Sequence, residues 1–201
     1  DAGLTLNTGR NRDQWHTMTR TGKSPKLGAH LAEPYLEIHP DDAANITASH
    51  GDLITVENAL GKTILRALVT DRVTKGQLFA PMHWTRQTAR NATINSVIAP
   101  LTDPYSGQPA LKSGRVSISL YAAKWYGFLA SLNRPAADTS YAAMARTQTG
   151  WQMELASMQT PDDWIVEARR FAKLPDAAAS IYEDNANGNV RVVLHEDDLV
   201  Q

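Results

Sequence analysis

The sequence predicts a mainly β protein: a small barrel or sandwich over residues 1–120, followed by an α+β extension over 121–201. Three observations carry this expectation. Short strand-type runs recur from residue 35 to 120, separated by Gly-containing turns. Composition shifts after Leu120 toward Ala-rich, helix-like stretches. The last stretch carries a hairpin signature at Asn187-Gly188.

Residues 1–34 show no apolar periodicity and are rich in Gly, Thr, Asn and Arg. They read as one long loop, and loops of that length in compact domains usually serve function. Tyr35–His39 alternates and stops at Pro40. Asp41 and Asp42 open a short helix, where acidic residues complement the N-terminal dipole. Gly51-Asp52 turns the chain into Leu53–Asn58, which places Ile54 and Val56 on one face. Ala59-Leu60-Gly61-Lys62 makes a hairpin turn, and Thr63–Thr70 returns as an apolar strand. After Lys75-Gly76 comes a strand over 78–84, and Arg115–Leu120 alternates with Val116, Ile118 and Leu120 expected inward.

In the extension, Tyr121–Leu132 reads as a helix with Tyr121, Trp125, Phe128 and Leu132 on one stripe, ended by Pro135. Asp138 is expected to cap a second helix closing at Gly150. Trp151–Leu155 alternates like a strand. Thr160-Pro161-Asp162-Asp163 opens a helix carrying Trp164, Ile165, Ala168, Phe171 and Ala172 at helical spacing. Ile181–Asp184 and Val190–His195 form the last hairpin. Trp125, Tyr126, Trp151 and Trp164 are expected in the core.

Bulk properties exclude several functions. A formal net charge of −1 gives no support to general nucleic-acid binding. With no cysteine, the chain holds no disulfide, thiolate ligand or iron–sulfur cluster of its own. No run approaches the roughly 18 apolar residues of a membrane helix. The first residues lack a signal-peptide pattern, so a cytoplasmic location is expected, and a start without Met suggests a segment of a longer protein.

Two polar regions carry chemistry. Thr8–Gly22 holds Arg10, Arg12 and Arg20, with Trp15 and His16 between them and Thr-Gly pairs at both ends. Glycine admits close backbone approach to a phosphate, arginine pairs with it in a bidentate way, and Trp15 offers a stacking face. From residue chemistry, a phosphate-gripping loop and a solvated basic loop both stay open. The second region runs from Arg90 to Gly114, polar and turn-rich, with Asn95 and Lys112 able to reach a ligand. Gly61-Lys62-Thr63 imitates the end of a phosphate-binding P-loop, but Val56 stands where its first Gly belongs, so it reads as a hairpin. The six histidines show no metal-ligand spacing, and His195-Glu196-Asp197-Asp198 reads as a solvated tail.

The motifs TGR-x4-WHT-x-TRTG, GDLITVENALGK and N-x7-DP-x-SGQP-x-LK together resemble the C-terminal domain of the bis-molybdopterin guanine dinucleotide oxidoreductases, most of all the assimilatory nitrate reductase group. The resemblance is specific over residues 4–120 and looser through 155. It implies a six-stranded double-psi β-barrel. It implies cofactor contacts at Thr8, Gly9, Arg10, Gln14, Trp15, His16, Thr17, Met18, Asn95 and Lys112, and puts His83 and Trp84 near a substrate funnel. It implies a molybdenum-bearing bis-molybdopterin guanine dinucleotide and nitrate as substrate. The metal ligand and an iron–sulfur cluster would lie in upstream domains of the same polypeptide, with no electron donor specified. Another substrate in the same family, such as formate, stays open. So does a non-catalytic barrel that binds protein or nucleic acid.

Overall fold

The structure is a computed structural model describing residues 3–196 and 199–200. Six strands close a barrel: β1 (Leu4–Gly9), β2 (Tyr35–Ile38), β3 (Leu53–Asn58), β4 (Gly61–Val69), β5 (Gln77–Pro81) and, further on, β7 (Gly114–Leu120). Their order around the barrel is β1-β5-β2-β4-β3-β7. β1 runs parallel to β5 and β2 parallel to β4, while the other neighbours are antiparallel. This is the expected double-psi barrel. Closure removes the free sheet edges that a six-stranded open sheet would expose.

The barrel interior is filled by Leu6, Leu36, Ile38, Ile54, Val56, Leu65, Leu78 and Val116, all at most 2% exposed. The expected β3–β4 hairpin forms, with its turn narrowed from Ala59–Lys62 to Ala59-Leu60, because Asn58 pairs with Gly61 and Glu57 with Lys62. The short helix is α2 (Pro40–Asn45), with Asp41 and Asp42 in its first turn; Pro40 is its first residue. A smaller turn of helix, α1 (Pro25–Gly28), precedes β2.

Three barrel expectations are corrected. Residues 4–9 are strand β1, not loop, because β1 is inserted between β5 and β7 and takes hydrogen bonds from both. Only Leu6 and Thr8 of it are buried, too short an apolar signal to see in sequence. In β7, Val116 is buried, Ile118 half-buried and Leu120 exposed, because β1 flanks the strand only as far as Val116 and its last four residues pair with β3 alone. The fifth strand ends at Pro81; His83 and Trp84 follow it outside the sheet.

After the barrel, β8 (Trp125–Ser131), β9 (Tyr141–Arg146) and β10 (Trp151–Ser157) form a sheet with β6 (Ala89–Arg90), in the order β6-β9-β10-β8. Both helices expected here are therefore strands. In β8, Trp125, Gly127, Leu129 and Ser131 face one way and Tyr126, Phe128 and Ala130 the other. This period of two is paired in full register with β10, and it overrides the helical stripe. In β9, Tyr141, Ala142 and Ala143 are all buried, because the strand is covered on both faces. Small alanines suit that space, and tertiary pairing outweighs their helix propensity.

One helix remains, α3 (Trp164–Ala172). Its cap is Asp163, whose carboxylate accepts from the N–H groups of Ile165 and Val166 at 2.7 and 3.1 Å, rather than Thr160. The expected hairpin is β11 (Ala178–Asp184) with β12 (Asn189–Glu196), to which β13 (Leu199–Val200) adds. Asp197 and Asp198 of the HEDD segment lie outside the described residues. The aromatics of the extension are less buried than expected. Tyr126 is 53% exposed, and Trp125 and Trp164 meet edge-to-face at 5.1 Å in half-buried positions.

The barrel and the second sheet share one apolar cluster. Leu53, Ile64, Trp84 and Met18 pack there with Tyr141, Ala143 and Ala156. Beside it, Arg66 forms a bidentate pair with Glu33 at 2.9 and 3.0 Å, and the Tyr141 hydroxyl donates to Glu33 at 2.5 Å.

Candidate cofactor-binding site

β1 ends on Gly9 and delivers the chain into the loop Arg10–Arg20. Gly9 lies against Phe79 of the neighbouring strand: a Cβ there would lie 2.6 Å from Cε2, so the ring would have to shift. The loop then folds back on itself. The N–H of Met18 donates to the Trp15 carbonyl, and the N–H of Gly22 to the Met18 carbonyl. His16 and Met18 adopt left-handed φ values of 44° and 58°. Non-glycine residues rarely adopt such angles, and surrounding contacts must hold them there.

Those contacts come from the protein. Met18 is 8% exposed and anchors the loop in the shared apolar cluster. His83 is fully buried under the loop. Its Nε2 accepts the Asn11 N–H at 2.8 Å, and its Nδ1 donates to the His16 carbonyl at 2.6 Å. These partners fix the neutral Nδ1–H tautomer. Burial pushes the His83 pKa below the ordinary histidine value, outweighing the opposing pull of the His16 carbonyl. Tyr35 donates to the Asn11 side-chain oxygen at 3.0 Å. Thr21 donates to Gln14 Oε1 at 2.7 Å and accepts from the Trp15 N–H.

The expected cofactor residues fall into two groups. Thr8, Gln14 and Met18 are buried, and their side chains serve the protein: the Thr8 hydroxyl donates to the Leu111 carbonyl at 2.8 Å. Arg10, Trp15, His16 and Thr17 are exposed. Arg10 lies 5.1 Å from the Trp15 ring centroid, a cation–π contact that presents a charge and a flat face together. Among the described residues, the N–H groups of His16 and Thr17 meet no protein acceptor.

The two polar regions of the sequence meet here. Lys112 Nζ donates to the Thr8 carbonyl, and the Ser113 N–H to the Asn7 side chain at 3.2 Å. Asn95 is exposed on a 3-10 turn (Ile94–Val97) beside the β3–β4 hairpin, with no side-chain bond to the loop. His83 and Trp84 are both buried, at 0% and 4% exposure, so neither opens onto solvent.

Three partners escaped sequence reading: Asn11, Thr21 and Tyr35. Asn11 and Thr21 lie inside the recognised motif but look interchangeable with their polar neighbours. Asn11 also carries a buried Nδ2 donor without a partner among the described residues, and such a donor signals a missing acceptor. Among the described residues no cluster of three His, Asp or Glu side chains is placed to hold a metal ion.

The family model of the Molydopterin dinucleotide binding domain matches residues 4–115. A nitrate reductase of Klebsiella oxytoca is 39% identical over 165 residues, covering 82% of this chain and 19% of that protein. The assimilatory nitrate reductase catalytic subunit of Bacillus subtilis is 32% identical, covering 59% of this chain and 16% of that protein. An F420-dependent formate dehydrogenase alpha subunit of Methanocaldococcus jannaschii is 36% identical over 84 residues, 42% of this chain and 12% of that one. Acetylene hydratase from Pelobacter acetylenicus superposes with a TM-score of 0.51 at 18% identity, over 59% of this chain and 18% of that one. That last likeness concerns the fold. This chain spans about a fifth or less of the curated relatives it matches.

Proposed function

The chain belongs to the Molydopterin dinucleotide binding domain family, and on that premise we propose that residues 1–120 close over the cofactor of a molybdenum nitrate reductase, with 121–201 as an extension. The observation that carries the reading is the meeting of Leu111–Ser113 with Asn7 and Thr8, where the Thr8 hydroxyl donates to the Leu111 carbonyl at 2.8 Å. It joins the late motif to the early loop on one side of the barrel.

The residues present fit a pterin dinucleotide. Asn11 Nδ2 is a buried donor without a partner among the described residues. Arg10 and Trp15 offer a cation beside a flat ring, and the N–H groups of His16 and Thr17 are free among the described residues. Arg10 and these N–H groups would hold pyrophosphate; Asn11, Asn95 and Lys112 would contact pterin or phosphate. The molybdenum of such a cofactor supplies two-electron oxygen transfer, nitrate to nitrite, while this chain binds and orients. His83 acts here as the support that fixes the loop, and Trp84 as part of the core beneath it.

Lacking cysteine, the chain cannot ligate an iron–sulfur cluster. Upstream domains of a longer polypeptide would supply the cluster and the metal ligand, and the isolated chain is expected to catalyse nothing. The cytoplasm fits the assimilatory relative; no helix among the described residues is long and apolar enough to cross a membrane. A nitrate reductase is favoured over a formate dehydrogenase by the longer match to the Klebsiella protein.

The test uses the full-length enzyme. Arg10→Ala and Lys112→Ala should each lower pterin and molybdenum content per protein. Undiminished content in both variants would refute the site. Turnover with nitrate but not formate supports the substrate, and the reverse replaces it.

A further inference from the structure

Away from the cofactor loop, a cavity of about 500 Å³ lies between β6, the start of β4 and the segment 134–137. Five cationic side chains surround it: Lys62, Arg86, Arg90, Arg134 and Lys173. Among the described residues no carboxylate lines it. In a chain of net charge −1, that is a local concentration of one sign. Among the described residues none of the five forms an ion pair. Asp138 lies within electrostatic reach of Arg90, but its carboxylate is held by Arg170. Arg134 is already positioned: it donates to the Gln87 carbonyl at 2.6 Å and lies 5.4 Å from the Trp151 ring centroid.

The floor differs from the rim. Ala89, Ala142 and Met153 are buried, and Met144 is half-buried beside them. Ala136, Ala137 and Met144, exposed or half-buried, form the apolar platform open to the cavity, over the buried Ala89, Ala142 and Met153. Like charges gathered around a low-dielectric cleft repel one another and raise its affinity for a counter-anion. A bare inorganic anion would leave the platform unused, and an uncharged aromatic would leave the rim unpaired. The volume lies in the range of small-molecule sites, roughly 300–1,000 Å³.

We infer that this cavity is a second binding site, for a small polyanion with a flat apolar body, the chemistry of a nucleoside polyphosphate. The body rests on the alanine and methionine floor, and the charges meet Arg86, Arg90 and Arg134. None of the residues assigned to the molybdopterin cofactor lines this cavity, so the inference stands independently of the proposed function.

Calorimetric titration of the 201-residue chain with ATP, inorganic tripolyphosphate and adenosine tests it. ATP should bind at one site, about tenfold or more tighter than either fragment probe. Arg86→Glu with Arg90→Glu should weaken ATP by at least about tenfold, and Lys173→Glu, at an exposed position, should weaken it in the same direction. Circular dichroism checks that these surface variants fold. Arg10→Ala should leave ATP binding in place. The inference is overturned if ATP shows no saturable binding, or if tripolyphosphate binds as tightly as ATP. It is equally overturned if Arg10→Ala abolishes binding that the charge reversals spare.

Discussion

The buried His83 ring accepts the backbone N–H of Asn11 at 2.8 Å through Nε2. Its other nitrogen donates to the His16 carbonyl at 2.6 Å, so one imidazole bridges two points of the Arg10–Arg20 loop. Only the neutral ring can do both, because a protonated Nε2 would face the Asn11 N–H with a second hydrogen.

A pH dependence follows from this. Burial lowers the His83 pKa in the folded chain, so its contribution is fully present above the unfolded histidine value of about 6.5. It is lost as pH falls through the lower folded value. Backbone amide exchange in Asn11–Met18 should therefore quicken between pH 7 and 5 relative to the barrel strands. His83→Phe should remove that dependence and cost about 2–4 kcal/mol in denaturant unfolding, for two buried partners left unpaired. A pH-independent loop in the parent chain would rule the bridge out.

Gly9 lies against the Phe79 ring, where an added Cβ would approach to 2.6 Å. Gly9→Ala should destabilise by about 1–3 kcal/mol, as overpacking does. Combining it with Phe79→Leu should recover part of that loss. Additive losses in the double-mutant cycle would mean that the two sites do not touch.

Glu154 shares the neighbourhood of Arg66 with Glu33, whose carboxylate already takes the bidentate pair. Burial first, then the Glu33 charge, pushes the Glu154 pKa up. A raised carboxylate favours the folded state less once it ionises, so its contribution improves as pH falls. Glu154→Gln should raise Tm at pH 7 by at most a few degrees, since about 1 kcal/mol moves a chain of this size by roughly 2–4 °C. The gain should shrink at pH 4; an equal gain at both pH values would point to another cause.

Tyr141 is fully buried, and its hydroxyl donates to Glu33 across the barrel–sheet junction. Burial, then the charge of Glu33, pushes its pKa far upward, so the hydroxyl stays protonated as a donor. Tyr141→Phe should cost about 1–3 kcal/mol by leaving a half-buried carboxylate short of a partner. Unchanged unfolding would show that Arg66 alone satisfies Glu33.

The capping of α3 gives a local check. Asp163 accepts two backbone N–H groups, at 2.7 and 3.1 Å. Asp163→Ala should cost about 1 kcal/mol, and Asp163→Asn much less. Equal losses in both would implicate charge rather than the cap.

By itself, the sequence determined the barrel strands from Tyr35 onward, the β3–β4 turn, α2 and the last hairpin. In β2 and most of β3 one face meets a core and the other does not, so burial is written as alternation, while β4 is read from its apolar run and α2 and the hairpins from their Pro, Asp and Gly residues. It also carried the two polar motifs, whose likeness to a known family was legible without the fold, whereas their residue chemistry left a phosphate-gripping loop and a solvated basic loop both open. Only the tertiary structure decided the rest. β1 is a strand because β5 and β7 flank it. β9 is a strand because it is covered on both faces, which erases the alternation that would have marked it. The roles of Thr8, Gln14, Met18 and His83 depend on partners brought together by folding: 103 residues separate Thr8 from Leu111 and 67 separate His16 from His83. Local sequence encodes which side chains a segment offers, but hydrogen bonds across such separations are set by the closed barrel that brings their elements together.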